Sequence, residues 1–104
     1  MLGNLGEGAK AAKLLSKEEK IVQLTADAEK AYPKLAGKAD QLHHITPQYL
    51  GGAKDGPLAK ISVAYHQQIT NAFRTLAPYG EKIERSAQEV QQIMHDVYSR
   101  FPLP

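Results

Sequence analysis

A cluster of turn-forming residues near the middle of this 104-residue chain constrains its fold more than any other feature. Pro47 has no backbone N–H and ends regular strand pairing, and glycine-containing turns follow at 51–52 and 55–57. The segments on either side, 41–45 and 58–61, are short and apolar enough to be strands. The pattern therefore predicts a β-hairpin with a long loop.

Three helical patterns surround this hairpin. The predicted helices cover 17–31, 63–77 and 87–100. Ser16 with Glu19, and Ser86 with Glu89, have the spacing of a capping box, and Ser62 can cap the middle helix. The expected fold class is α+β and mostly α: a small hairpin plus one helix, with flanking N-terminal and C-terminal helices.

Composition and length indicate one small folded domain. Hydrophobic residues make up 42% of the chain and charged residues 23%. Residues 1–8 are polar and glycine-rich and are interpreted as a linker remnant, and 9–104 as a single domain. No apolar run is long enough to span a membrane. The absence of cysteine excludes disulfides and cysteine-ligated zinc, and a net charge of +2 permits nucleic-acid binding without requiring it.

Histidines mark the candidate site. His43 and His44 end the first apolar segment, and His66 lies on the helix that follows the second. Imidazole is both a common metal ligand and a base that titrates near neutral pH. Two neighbouring histidines therefore allow one to hold a metal and the other to take a proton from water. His95 has no such pattern around it and is interpreted as an ordinary helix residue.

The joint pattern resembles a known nuclease superfamily. Its residues are Leu42-His43-His44, Pro47, Leu50-Gly51-Gly52 and His66. This order is similar to that of the HNH/endonuclease VII superfamily, the ββα-metal or His-Me finger nucleases. It is most similar to the LHH-type C-terminal toxin domains of bacterial polymorphic toxins. The resemblance covers about 41–80, where it implies a ββα-metal core.

The resemblance implies a role for each matching residue. His44 takes the place of the general base, and His43 and His66 take those of metal ligands. Many members carry a further ligand one turn after the first; that position is Thr70 here, and Asn71 is the expected substitute.

Two other positions near the motif bear on the ligand set. Gln67 is the alternative to Asn71, because both have a side-chain oxygen. The family's central asparagine is absent, and Pro57-Leu58 stand near its place. The cofactor implied is a divalent metal ion: Mg²⁺, Zn²⁺, Mn²⁺ or Ni²⁺.

The helix spacing of one arginine adds a candidate for phosphate binding. Arg74 follows His66 by eight positions, about two turns, and is expected on roughly the same side of the helix. It can contact a phosphate, which makes it a candidate catalytic residue. An exposed, solvated side chain is the alternative interpretation.

The function expected from the resemblance is metal-dependent endonuclease activity, on DNA more than RNA. The chain would be the toxin domain of a secreted bacterial protein, delivered into a target bacterial cell and acting in its cytoplasm. A cognate immunity protein would then be a partner. Two alternatives stay open: an RNase toxin, and a non-enzymatic helical binding module whose histidines are structural or bind a regulatory metal.

Overall fold

The computed structural model describes residues 15–78, 80 and 84–104, and it confirms the α+β, mostly α fold. Its elements are α1 (Lys17–Ala31), β1 (Gln41–His44), β2 (Leu58–Ile61), α2 (Val63–Leu76) and α3 (Ala87–Arg100), with short 3-10 helices at Pro33–Leu35 and Gln48–Leu50. The predicted linker remnant, 1–8, lies outside the described residues.

Side-chain caps explain where the helices begin. Ser16 and Ser86 each accept from the backbone N–H of a glutamate three residues later, whose side chain accepts in return, so both predicted capping boxes are confirmed. Ser62 caps α2 by accepting from the N–H of Tyr65. α2 ends at Leu76, one residue before the predicted end, because the next residue precedes Pro78 and is disfavoured in the helical region.

The two strands form the predicted antiparallel hairpin, with His43 opposite Ala59 and His44 opposite Leu58. β1 ends at His44, one residue before the predicted end, although the N–H of Ile45 still donates to the carbonyl of Pro57 at 3.1 Å. Successive strand residues face opposite sides. His43 is therefore buried on the inner face with Ala59, whereas His44 shares the outer face with the exposed Leu58.

Two glycines shape the loop between the strands. Gly51 has a φ of 100°, in the left-handed region where side chains are strained. At Gly52 a Cβ would lie 2.0 Å from the carbonyl oxygen of Thr46, so no side chain fits. The loop therefore folds back closely on the chain that leaves β1.

The core lies between the inner face of the hairpin, α2 and α3. Its largest fully buried side chains are Tyr65, Phe73, Ile69 and Val97. This core fixes the hairpin against α2 and so brings the histidines of β1 to the histidine of α2. No helix in the described part of the chain has the length and apolar character that crossing a membrane requires.

Candidate active site

A cavity of about 310 Å³ lies where β1, the loop after it and α2 meet. It is lined by Leu42, His43, His44, Pro47, Gln48, Tyr49, His66, Thr70, Phe73 and Arg74. Four of the five predicted site residues are in this lining. Among the residues that the structure describes, the lining includes no aspartate or glutamate, and its one formal charge, on Arg74, is positive. The positive end of the cavity is thus suited to an anion such as a phosphate.

His43 forms the buried wall of the cavity, with 5% of its surface exposed. Burial, and to a smaller extent the charges of His66 and His44, lowers the pKa of His43 from 6.5 to about 4. The ring is therefore neutral at pH 7. Its Nε2 lies 2.8 Å from the hydroxyl of Tyr98, which donates its own proton to the carbonyl of Ile45.

His44 lies at the open end of the same cavity and is held by the loop. Its Nε2 is 2.9 Å from the carbonyl oxygen of Lys54 and 3.0 Å from the side-chain amide of Gln48. An amide can present either its oxygen or its nitrogen, whereas a carbonyl can only accept, so the Lys54 contact decides where the proton lies. Nε2 carries the proton and Nδ1 keeps the lone pair, which makes Nδ1 the basic atom.

His66 approaches His43 from α2. Their ring centroids are 4.9 Å apart, with the planes at 65°. The Nδ1 of His66 donates to the side-chain oxygen of Gln41 at 2.9 Å, which leaves a lone pair on Nε2. Burial lowers the pKa of His66 below 6.5, so this imidazole is also neutral at pH 7.

The spacing of these two rings is compatible with one shared ion. With metal–nitrogen bonds of about 2.0 Å and a tetrahedral angle, two imidazole centroids bound to one ion would be roughly 5 Å apart. Both rings are neutral, as ligands must be. Among the described residues, no group of three or more His, Cys, Asp or Glu side chains is arranged to hold a metal. The described residues thus offer two nitrogen ligands here, and further positions would be filled by water or substrate.

Asn71 does not join the other predicted site residues. Its amide donates to the hydroxyl of Tyr32 at 2.6 Å and accepts from Gln67 at 2.9 Å, and it is not part of the cavity lining. Five residues along a helix amount to a rotation of about 140° from His66, which turns the side chain toward α1. The geometry thus does not support Asn71, or its alternative Gln67, as a ligand. Thr70 is the residue one turn after His66 that lines the cavity.

Arg74 lies at the end of the cavity near Tyr49, with an exposed side chain. Burial raises the pKa of the Tyr49 phenol, and the charges of Arg85 and Arg74 act against this rise. Both cations are therefore close to the Tyr49 ring. The hydroxyl of Tyr49 donates to the carbonyl of Ala77 at 2.8 Å. Arg85, which the sequence did not single out, adds a second positive charge at this end.

The sequence pattern missed the residues that orient the three histidines. They are Gln41, Gln48, Tyr98 and the backbone carbonyls of Ile45 and Lys54. Tyr98 follows Met94 by one turn, which signals that it belongs to the apolar face of α3 but not which residue it contacts. A backbone carbonyl carries no sequence signal, since every residue has one.

Comparison of the chain with protein-family profiles, curated protein sequences and solved structures finds no match.

Proposed function

We propose that this chain is a metal-dependent nuclease that hydrolyses phosphodiester bonds, with DNA as the first substrate to test. The observation that carries the proposal is the state of His44. Its Nε2 proton is directed to a backbone carbonyl, and its basic Nδ1 belongs to a ring that lines a cavity shared with two neutral imidazoles and an arginine. A base beside a potential metal site and a cation is an arrangement that can catalyse phosphodiester hydrolysis.

Each residue of the site has its own role in the reaction. The Nδ1 of His44 takes a proton from a water molecule, whose oxygen then forms a bond to phosphorus. The ester P–O bond on the opposite side breaks, and the released oxygen takes a proton from solvent. Arg74, with Arg85 as a second positive charge near Tyr49, attracts the negative phosphates of the polynucleotide. The carbonyl of Lys54 accepts from Nε2 of His44, which fixes the tautomer before the proton transfer and keeps the ring in place as an imidazolium afterwards.

His43 and His66 would hold the divalent ion through their neutral rings. When bound, such an ion neutralises charge that develops on the phosphate and the leaving oxygen. The buried position of His43 and the Gln41 contact of His66 orient both rings toward this role.

A cleavage assay on the purified chain tests the proposal. Supercoiled plasmid and total RNA are incubated separately with Mg²⁺, Mn²⁺, Zn²⁺ or Ni²⁺, with and without chelator. We expect plasmid cleavage that requires a metal and falls at least about 100-fold in His44→Ala. His95→Ala is the matched control, because His95 is an exposed histidine of α3 outside the cavity. Absence of cleavage with every metal, or a His44→Ala variant as active as the parent, contradicts the proposal.

The second part of the proposal is the biological role that the family resemblance implies. The nuclease would act as the toxin domain of a secreted bacterial protein, inside a target bacterial cell and opposed by an immunity protein. The positive charge at the cavity favours an acidic inhibitor surface. Induced expression in bacteria should stop growth for the parent and for His95→Ala, and should be tolerated for His44→Ala. Equal growth of all three strains at equal protein levels contradicts a toxin role.

A further inference from the structure

The hydroxyl of Tyr98 joins the C-terminal helix to the candidate site. It lies 2.8 Å from the Nε2 of His43 on β1, and it also contacts the carbonyl oxygen of Ile45, just after that strand. These partners are 55 and 53 residues away along the chain. One side chain of α3 therefore contacts both a candidate metal ligand and the backbone that follows it.

The direction of these two hydrogen bonds follows from the number of protons. A phenol has one O–H, and a carbonyl oxygen can only accept, so the Tyr98 proton is directed to Ile45. The phenol oxygen must then accept from His43. The proton of the neutral His43 ring consequently lies on Nε2, and Nδ1 keeps the lone pair.

Packing holds the phenol in this position. The ring of Tyr98 makes edge-to-face contacts with His43, at 6.2 Å between centroids, and with Phe73, at 5.5 Å. These ring contacts keep the phenol oxygen within hydrogen-bond distance of both His43 and Ile45.

We propose that Tyr98 is a positioning residue that fixes the tautomer of His43, so that Nδ1 is the nitrogen available to a metal ion. The C-terminal helix then positions a residue of the site in addition to packing on the core. The consequence for metal affinity rests on the proposed function, whereas the assignment of the tautomer does not.

The tautomer can be read by NMR on uniformly ¹⁵N-labelled protein, through long-range proton–nitrogen correlations of the imidazoles. We expect the parent to show His43 as the Nε2–H form at pH 7. Tyr98→Phe removes the acceptor but keeps the ring, and should leave His43 as a mixture of the two tautomers. A parent in which His43 is the Nδ1–H form, or a Tyr98→Phe variant that keeps the parent tautomer, overturns the proposal.

Tyr65→Phe is the matched control. Tyr65 is a fully buried tyrosine whose hydroxyl likewise donates to a backbone carbonyl, that of Pro102 at 2.8 Å, and this bond does not involve a histidine ring. This variant loses a hydrogen bond of the same kind and should keep the His43 tautomer. If both variants change the imidazole spectrum equally, Tyr98 acts only through general loosening of the core and the proposal is overturned.

Metal affinity gives the second readout. Calorimetric titration with Zn²⁺ or Ni²⁺ should give a dissociation constant about 10-fold to 100-fold higher for Tyr98→Phe than for Tyr65→Phe. Equal affinities of the two variants contradict the role of Tyr98 toward the metal. A chain that cuts no nucleic acid but shows the Tyr98-dependent tautomer refutes the nuclease and leaves the tautomer assignment standing.

Discussion

His43 and His44 are neighbours in the chain, yet they lie in two different regions of the site. The buried side consists of the buried His43 together with the half-buried His66 and Tyr98 that contact it, between β1, α2 and α3. The open side consists of His44, Gln48 and the carbonyl of Lys54, all on the hairpin end and its loop. The same imidazole group is thus placed once in the protein interior and once at the mouth of a cavity.

The difference shows how a short strand can give two identical residues different chemistry. Alternation along β1 turns His43 inward and His44 outward, and the strand ends at His44 so that both rings still line one cavity. Burial keeps His43 neutral, which suits a metal ligand. A base must exchange protons with water, which the half-buried ring of His44 allows and the buried ring of His43 does not.

Lowering the pH should act most strongly on the buried side. Because the folded-state pKa of His43 is lowered from 6.5 to about 4, its contribution to stability is complete above pH 6.5 and is lost as the pH falls toward 4. The lowered pKa of His66 acts in the same direction. The free energy of unfolding, measured with urea, should fall by about 3 kcal/mol over this range from His43 alone. His43→Gln should flatten the profile; an unchanged slope in this variant contradicts the assignment.

Replacing His43 or His44 by alanine should show that the two sides contribute differently to the free energy of unfolding. His43→Ala leaves the Tyr98 hydroxyl without its donor and opens a buried space, so we expect a loss of roughly 1–3 kcal/mol in the free energy of unfolding. His44→Ala removes a partly exposed ring and should cost about 0.5 kcal/mol or less. Urea unfolding at pH 7 measures both. Equal losses would mean that the two sides do not differ as described.

Substitution of the loop glycines tests what supports the open side. Gly52→Ala places a Cβ 2.0 Å from the Thr46 carbonyl oxygen, so the loop that carries Lys54 must shift. We expect a cost of roughly 1–3 kcal/mol and a change in the imidazole signals of His44. Gly51→Ala, where only the positive φ is strained, should cost about 1 kcal/mol and leave those signals in place. If the His44 imidazole signals are the same in both variants, the close approach at Gly52 does not support the position of His44.

Replacing Asn71 should leave the site itself unchanged, because Asn71 lies on neither side of it. Its amide contacts Gln67 and Tyr32 across the α1–α2 interface, so Asn71→Ala should cost about 1 kcal/mol of unfolding free energy. Metal affinity, measured by calorimetry, should not change. A loss of affinity in a variant that keeps the parent's fold would restore Asn71 as a ligand.

Local patterns in the sequence predicted the fold well. The helix starts depend on serine and glutamate three residues apart, and the hairpin depends on a proline and glycines inside one loop. Such interactions join residues that are close together in the chain, so a short segment of sequence is enough to predict them. The strand and helix ends that differ by one residue lie next to Thr46-Pro47 and Pro78, where the backbone is restricted.

The sequence by itself determined which elements form and which histidines are candidates for chemistry. Only the tertiary structure decided how each ring is oriented, where its proton lies and that Asn71 belongs to another contact. The hydrogen-bond partners that fix the orientation of His43, His66 and Asn71 are 55, 25 and 39 residues away in the chain. They are Tyr98, Gln41 and Tyr32. The tautomer of an imidazole depends on the acceptor within about 3 Å, and chain folding alone brings such acceptors into place.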